Sequence, residues 1–232
     1  MRKSVLAALL LIPSAVNAQA YQCQIPSRIE QGPPPRQDGP TRRVPVAGFT
    51  LAASWSPEYC HGARDQAGSM QCSGRAGRFG FVLHGLWPEA ANGPGPQWCS
   101  ATPRPSPEEL RRNLCMTPSP GLLEHEWAKH GSCAARTPEA YFAAARALWQ
   151  RIQWPDADAL SRRRDLKVGE LRAAFLAANP GWQAEQVSIQ LRSSGWLREV
   201  QLCLDASRKP AACSRYRRGA FDRQPLKIWR GF

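Results

Sequence analysis

Cys23, Cys60, Cys72, Cys99, Cys115, Cys133, Cys203 and Cys213 set the tightest limit on how this chain can fold. An even number of cysteines in an exported chain reads as four disulfides. None lies in a C-x-x-C pair, which disfavours a zinc ribbon. Spacing alone does not choose among the possible connectivities, although Cys60–Cys72 and Cys203–Cys213 close the shortest loops.

Export is read from the first eighteen residues. Arg2 and Lys3 give a positive start, Val5 to Ile12 is an unbroken apolar run, and Val16-Asn17-Ala18 suits cleavage. Cleavage after Ala20 fits the same small-x-small form. The apolar run is far shorter than the ~20 residues a membrane-spanning helix needs. Residues 1–18 are therefore expected to be a signal peptide, and the mature chain to reach the periplasm or the medium without a membrane anchor. No Asn-x-Ser/Thr glycosylation acceptor occurs.

The formal charge of +13 falls to +11 once Arg2 and Lys3 leave with the leader. Such an excess draws a protein toward polyanions but says nothing of fold. The arginine groups Arg162-Arg163-Arg164 and Arg215, Arg217, Arg218 read first as solvated faces.

Residues 19–48 form a lead-in rich in Pro, Gly and Arg and without periodicity, tethered by Cys23. The domain proper is expected over 49–232. Strands are read at 49–56 and 79–83, with a polar loop over 58–78 between them. Ser106-Pro107 opens a helix with Glu109 as its capping-box acid. Ser119-Pro120 opens a second, which Gly131 closes, and Thr137-Pro138 a third, with Tyr141, Ala144, Ala145, Leu148 and Ile152 on one face. A fourth spans 166–178. Strands follow at 187–191 and 197–204 across the Ser193-Ser194-Gly195 turn, with a last one near Ile228. Strands at both ends and helices between imply a single α+β domain, stabilised by disulfides.

Four histidines occur in the chain. His61 stands apart, while the other three fall in two dense strings, 81–88 and 125–133. Taking His125 as 0° on a helix begun at Pro120, Lys129 falls at ~40°, Glu126 at ~100° and His130 at ~140°. Four ionisable groups share one arc, with His125–Lys129 and Glu126–His130 each four apart. His84 is read at a strand end before a Gly-Leu-Trp-Pro turn, with Trp87 able to pack on its ring or offer a stacking surface. A zinc-protease H-E-x-x-H would need a second histidine where Lys129 stands, so metal ligation is not expected. A serine hydrolase finds no G-x-S-x-G.

The strings His84-Gly85-Leu86-Trp87-Pro88 and His125-Glu126-Trp127-Ala128-Lys129-His130-Gly131-Ser132-Cys133 resemble the two active-site segments of the ribonuclease T(2) family. The resemblance implies a metal-independent endoribonuclease of weak base selectivity, built on a central antiparallel sheet flanked by helices, with RNA as partner and no cofactor; a monomeric chain without an obligate protein partner is expected. By position, His84 and His130 resemble the general acid–base pair, and Glu126 and Lys129 the groups that stabilise the phosphorane. His125 is similar to the residue that holds the phosphate. Trp87 and Glu89, and more loosely Tyr59 and Trp98, are the implied base-site candidates. The resemblance also implies the pairs Cys99–Cys133, Cys203–Cys213 and Cys60–Cys72, which leaves Cys23–Cys115. Aromatic residues commonly precede the family's second segment, where this chain has Leu122-Leu123.

Overall fold

The computed structural model describes residues 20–63, 67–100 and 103–230; the leader expected at 1–18 lies outside them. Strand β1 (Ala20–Cys23) pairs antiparallel with β3 (Gly77–Phe79) in a small two-stranded sheet. The main sheet is antiparallel throughout. Its centre is β2 (Gly48–Trp55), flanked by β4 (Phe81–Glu89) and β6 (Leu197–Asp205), and β5 (Val187–Leu191) completes it beyond β6.

Alternation along β2 divides the sheet into two faces. Phe49, Leu51, Ala53 and Trp55 join Phe81, Leu83 and Leu86 of β4, and Val200, Leu202 and Leu204 of β6, in one buried core. The helical side of that core comes from α2 (Pro107–Asn113), α3 (Pro120–Lys129), α4 (Pro138–Trp149) and α6 (Val168–Ala178). Leu110, Leu114, Leu123, Trp127, Tyr141, Phe142, Trp149, Leu171 and Phe175 are its main contributions. Leu123 is buried, so an aliphatic side chain fills that place ahead of the second string. The other face carries Thr50, Ala52 and Ser54 on β2, in register with Cys203, Gln201 and Glu199 on β6.

Three of the helices start where their side-chain caps stand. Ser106, Thr137 and Ser119 each accept a hydrogen bond from the backbone N–H three residues on, and a proline follows each. Glu109 does not serve as a capping-box acid. It is buried, and its carboxylate accepts from Arg146 at 2.6 Å and from Asn113 at 3.1 Å, tying α2 to α4. On α4, Phe142 and Trp149 are buried beside Tyr141 and Ala145, while Ala144 and Leu148 are only partly covered.

Other expectations need correction. The segment read as a loop over 58–78 begins with a short helix, α1 (Ser56–Gly62), and ends in β3. Gly80 separates β3 from β4, so the strand read at 79–83 belongs to two sheets. The Gly85-Leu86-Trp87-Pro88 segment is no turn, because β4 continues through it to Glu89. Near Ile228 no strand forms; Lys227 makes only an isolated bridge to Trp196. The segment between β1 and β2 has no regular structure apart from the bridge of Arg42 with Gln97, as a Pro-rich stretch dictates.

Four disulfides lock this arrangement: Cys23–Cys115, Cys60–Cys72, Cys99–Cys133 and Cys203–Cys213, the pairs that the resemblance implies. Cys99–Cys133 fastens the segment after β4 to the end of α3, beside the histidines. Cys23–Cys115 closes the longest loop and fixes the N-terminal strand to the end of α2.

Candidate active site

The first histidine string is bent by a β-bulge. Ala52 pairs with Gly85 and Ala53 with Leu83, so His84 has no partner across the ladder. The extra residue resets the alternation: Leu83 and Leu86 both enter the core, while His84 and Gly85 look onto the polar face. Gly85 is required there by space. A Cβ at this position would stand 2.0 Å from Glu126 Oε2 and 2.6 Å from Trp87 Nε1. Tyr141, buried on α4, fixes the next residue by donating to Leu86 O at 3.1 Å and accepting from Leu86 N at 3.2 Å.

Helix α3 brings the second string against this bulge. Trp87 Nε1 donates to Glu126 Oε2 at 2.7 Å, and Glu126 Oε1 lies 3.6 Å from His84 Nε2. Glu126 is 3% exposed. Burial pushes its pKa up to about 7, against the lowering influence of His84, Trp87 and Lys129. His130, the C-cap of α3, lies against the same indole. The ring centroids of His84 and His130 are 5.0 and 5.7 Å from that of Trp87, so the two imidazoles sit within 10.7 Å of each other.

The two rings sit in opposite electrostatic surroundings. His84 Nδ1 donates to Glu199 Oε1 at 2.7 Å. Burial opposes charge on this ring, yet the Glu199 hydrogen bond and the carboxylates of Glu126 and Glu199 prevail and raise its pKa. Among the described residues His130 has no such partner, and its Nδ1 is buried without a hydrogen bond to them. Burial, then the charges of Lys129, His125, His84 and Arg217, push its pKa down to about 3. Glu126 is within side-chain reach of His130, four residues on along the helix. It turns instead to His84 and Trp87, and so does not offset Lys129 at His130.

His125 and Lys129 share a third partner, Asp38 of the lead-in. Lys129 Nζ lies 2.8 Å from Asp38 Oδ2, His125 Nε2 lies 3.8 Å from the same atom, and Trp98 Nε1 donates to Oδ1 at 3.2 Å. Trp98, at φ 55°, edges its ring onto His125. Its backbone N–H donates to Lys129 O at 2.7 Å. The Lys129 ammonium is the main reason the Asp38 carboxyl is held below its ordinary value.

Next to His130 opens a cleft of about 330 Å³, lined by Glu89, Gly95, Gln97, Tyr216, Arg217 and Arg42, among others. Glu89 ends β4 and accepts from Thr50 Oγ1 at 2.8 Å and from Arg217 Nη2 at 2.6 Å. Arg217 also lies over the Trp87 ring. It is thus part of the cleft wall rather than of a solvated face.

The fold gathers His84, Trp87, Glu89, Trp98, His125, Glu126, Lys129 and His130 at one place. Tyr59 is not brought there. It is 51% exposed on α1, where its neighbour His61 stacks on Trp229. Sequence reasoning missed Glu199 and Asp38. Glu199 left a trace, since it and Gln201 are polar residues two apart among the apolar residues of β6; Asp38 left none. Among the described residues, no group of three His, Cys, Asp or Glu side chains is arranged to hold a metal ion.

Because Glu126 is fixed by Trp87 and cannot swing away freely, Gly85→Ala should destabilise the protein by about 1–3 kcal/mol. Urea unfolding of the two proteins measures it, and equal midpoints would contradict the crowding described.

Comparison with known proteins gives the same direction. The family model described as Ribonuclease T2 family matches residues 47–213. A probable ribonuclease of Haemophilus influenzae is 35% identical over 171 residues, 62% of each chain, so this chain spans about three fifths of that relative. A ribonuclease of Aeromonas hydrophila is 33% identical, with 68% of this chain and 71% of the relative covered. Among solved structures, trichomaglin, described as an S-like ribonuclease, superposes with a TM-score of 0.63 at 19% identity, over 80% of this chain and 98% of its own. With both histidine strings inside the matched segment, the chain belongs to the ribonuclease T2 family.

Proposed function

We propose that this protein is a metal-independent endoribonuclease that cleaves single-stranded RNA with little base specificity. The 2′-hydroxyl attacks the adjacent phosphorus, giving a 2′,3′-cyclic phosphate that is then hydrolysed to a 3′-phosphate. The observation that carries this reading is the pair of imidazoles on Trp87 with opposite protonation preferences.

In the first step neutral His130 takes the proton of the 2′-hydroxyl, and cationic His84 protonates the departing 5′-oxygen. Negative charge grows on the non-bridging oxygens. Lys129 supplies the positive charge there, and His125 holds the phosphate beside it. Glu126 has a matched role. Protonated below about 7, it approaches a phosphate oxygen as a hydrogen-bond donor rather than as a repelling anion. DNA, lacking the nucleophile, should not be cut.

The nucleobase goes to the cleft beside His130, where Trp87 and Glu89 meet Arg217. Residues 1–18 serve as the signal peptide, 19–48 as the lead-in and 49–232 as the catalytic domain, acting as a monomer in the periplasm or the medium. Four disulfides support that compartment.

His84→Ala and His130→Ala should each lower kcat by about two orders of magnitude or more, with folding retained by circular dichroism. A timed dinucleotide digest resolved by end group should show the cyclic phosphate before the 3′-phosphate; direct release of a 3′-phosphate would refute the mechanism.

The pH profile of kcat/KM follows from the same groups. The acid limb reports His130, at about 3, and the alkaline limb reports loss of the protons on Glu126, at about 7, and on His84, whose pKa Glu199 holds above its ordinary value. Activity should be highest in mild acid, and a rate still climbing above pH 8 would contradict the assignment.

Asp38 sits where the phosphate is proposed to bind, so RNA must displace it. Asp38 is half exposed and Lys129 partly so, and the expected strength of the pair is correspondingly small. Asp38→Asn should lower KM for RNA about two- to fivefold at low salt and leave kcat unchanged in steady-state kinetics.

A further inference from the structure

The polar face of the sheet holds one carboxylate to which the reaction above gives no part. Glu199, on β6, is 3% exposed, and both of its oxygens are engaged. Oε1 accepts from His84 Nδ1 at 2.7 Å and from Ser54 Oγ at 3.2 Å, and Oε2 accepts from Gln201 Nε2 at 2.7 Å. Ser54 stands opposite Glu199 in the β2–β6 register, and Gln201 follows two residues on along the same face. The carboxylate is therefore clamped by rigid strands and free to make one directed contact, with the histidine at the bulge.

We propose that Glu199 is a positioning residue for His84: it fixes the ring with Nδ1 protonated and turned into the sheet, so that Nε2 is the nitrogen offered to the scissile phosphate. The proposal rests on the reading of His84 as proton donor. A carboxylate only accepts, so the proton of a 2.7 Å contact belongs to Nδ1 whatever the charge on the ring. Nε2 then faces Glu126, 3.6 Å away, and the substrate side. The same contact favours the charged ring, as an acid needs between turnovers.

The neighbouring charges show why this carboxylate matters more than the others. On β6, Arg198 opposes charge on His84, and only Glu199 favours it. From α3, His125 and the C-cap His130 also feel the ring, and Glu126 favours its charge only once ionised. Ser54 and Gln201 are neutral. At the acid pH where Glu126 is protonated, Glu199 is the counter-charge that remains.

The test reads the ring directly. In the wild-type protein, imidazole ¹⁵N shifts recorded above the His84 pKa should show the Nδ1–H tautomer; a predominant Nε2–H tautomer overturns the proposal with no variant needed. In Glu199→Gln, His84 should titrate about one pH unit lower or more, and the alkaline limb of kcat/KM should move with it. Glu199→Asp, which keeps the charge, should restore most of the wild-type profile. A Glu199→Gln protein whose kcat falls equally at every pH, with His84 titrating as before, reduces Glu199 to packing and overturns the inference. Tautomer and titration are measured without turnover. A wild-type protein inert toward RNA would thus overturn the ribonuclease reading, whereas an unshifted His84 in an active enzyme overturns this one.

Discussion

Side chains on a regular strand alternate between faces, so two core leucines three residues apart cannot both point inward unless the strand slips by one. Leu83 and Leu86 do both point inward, and the bulge at His84 is where the slip occurs. The rest of the site depends on that single unpaired residue. It puts His84 and Gly85 side by side on the polar face, and the missing side chain of Gly85 is what lets Glu126 reach Trp87. A regular strand would have offered either the histidine to the solvent side or the leucine to the core, but not this pair. The strands on either side hold the position: β2 carries the ladder, and Thr117 and Met116 bond the Leu83 backbone from the outside.

Around that bulge the protein buries groups that water would normally keep charged, and their partners divide them into two kinds. Glu199 and His84 satisfy each other with a short hydrogen bond, so both keep their charge despite burial. Glu126 and His130 lack an equivalent counter-charge and lose theirs, one by taking a proton and the other by shedding it. Desolvation is the largest influence on all four groups; what differs is whether a compensating bond exists. One fold thus holds two histidines with opposite protonation preferences, the arrangement an acid–base pair requires.

The parts of this arrangement legible in the sequence are those set by local chemistry. Ser-Pro and Thr-Pro steps marked three helix starts, because a cap and a fixed φ act within a few residues. The helical wheel placed His125, Glu126, Lys129 and His130 on one arc, and all four do reach the site. Long-range pairing was not legible. Nothing near His84 in the chain announces Glu199, 115 residues away, and nothing near Lys129 announces Asp38. The wheel also suggested a Glu126–His130 pair that the bulge pre-empts, since Trp87 and His84 offer Glu126 better-placed partners. The reading of Gly85-Leu86-Trp87-Pro88 as a turn failed for a related reason: Gly and Pro punctuate most chains, but here the glycine makes room and the proline sits in an edge strand.

Asp38 extends the same electrostatic reasoning to the chain's basic surplus. Lys129 and His125, proposed above to hold the phosphate, stand close together, and two such groups repel when both are charged. The lead-in supplies a carboxylate between them, and it is itself pinned to the domain by Gln97 and by Arg43, which bonds Cys99 O. Such a partner costs little to exchange because it is half exposed. An incoming phosphate brings the same kind of oxygen with more charge, and RNA brings it in a row. The positive field of the whole chain favours that approach within a Debye length, ~10 Å at 0.1 M salt, where one aspartate counts for little. Attraction at long range and a weak internal stand-in at short range are therefore compatible: on the function proposed above, the first would set how fast RNA arrives, and the second only what it would displace on arrival.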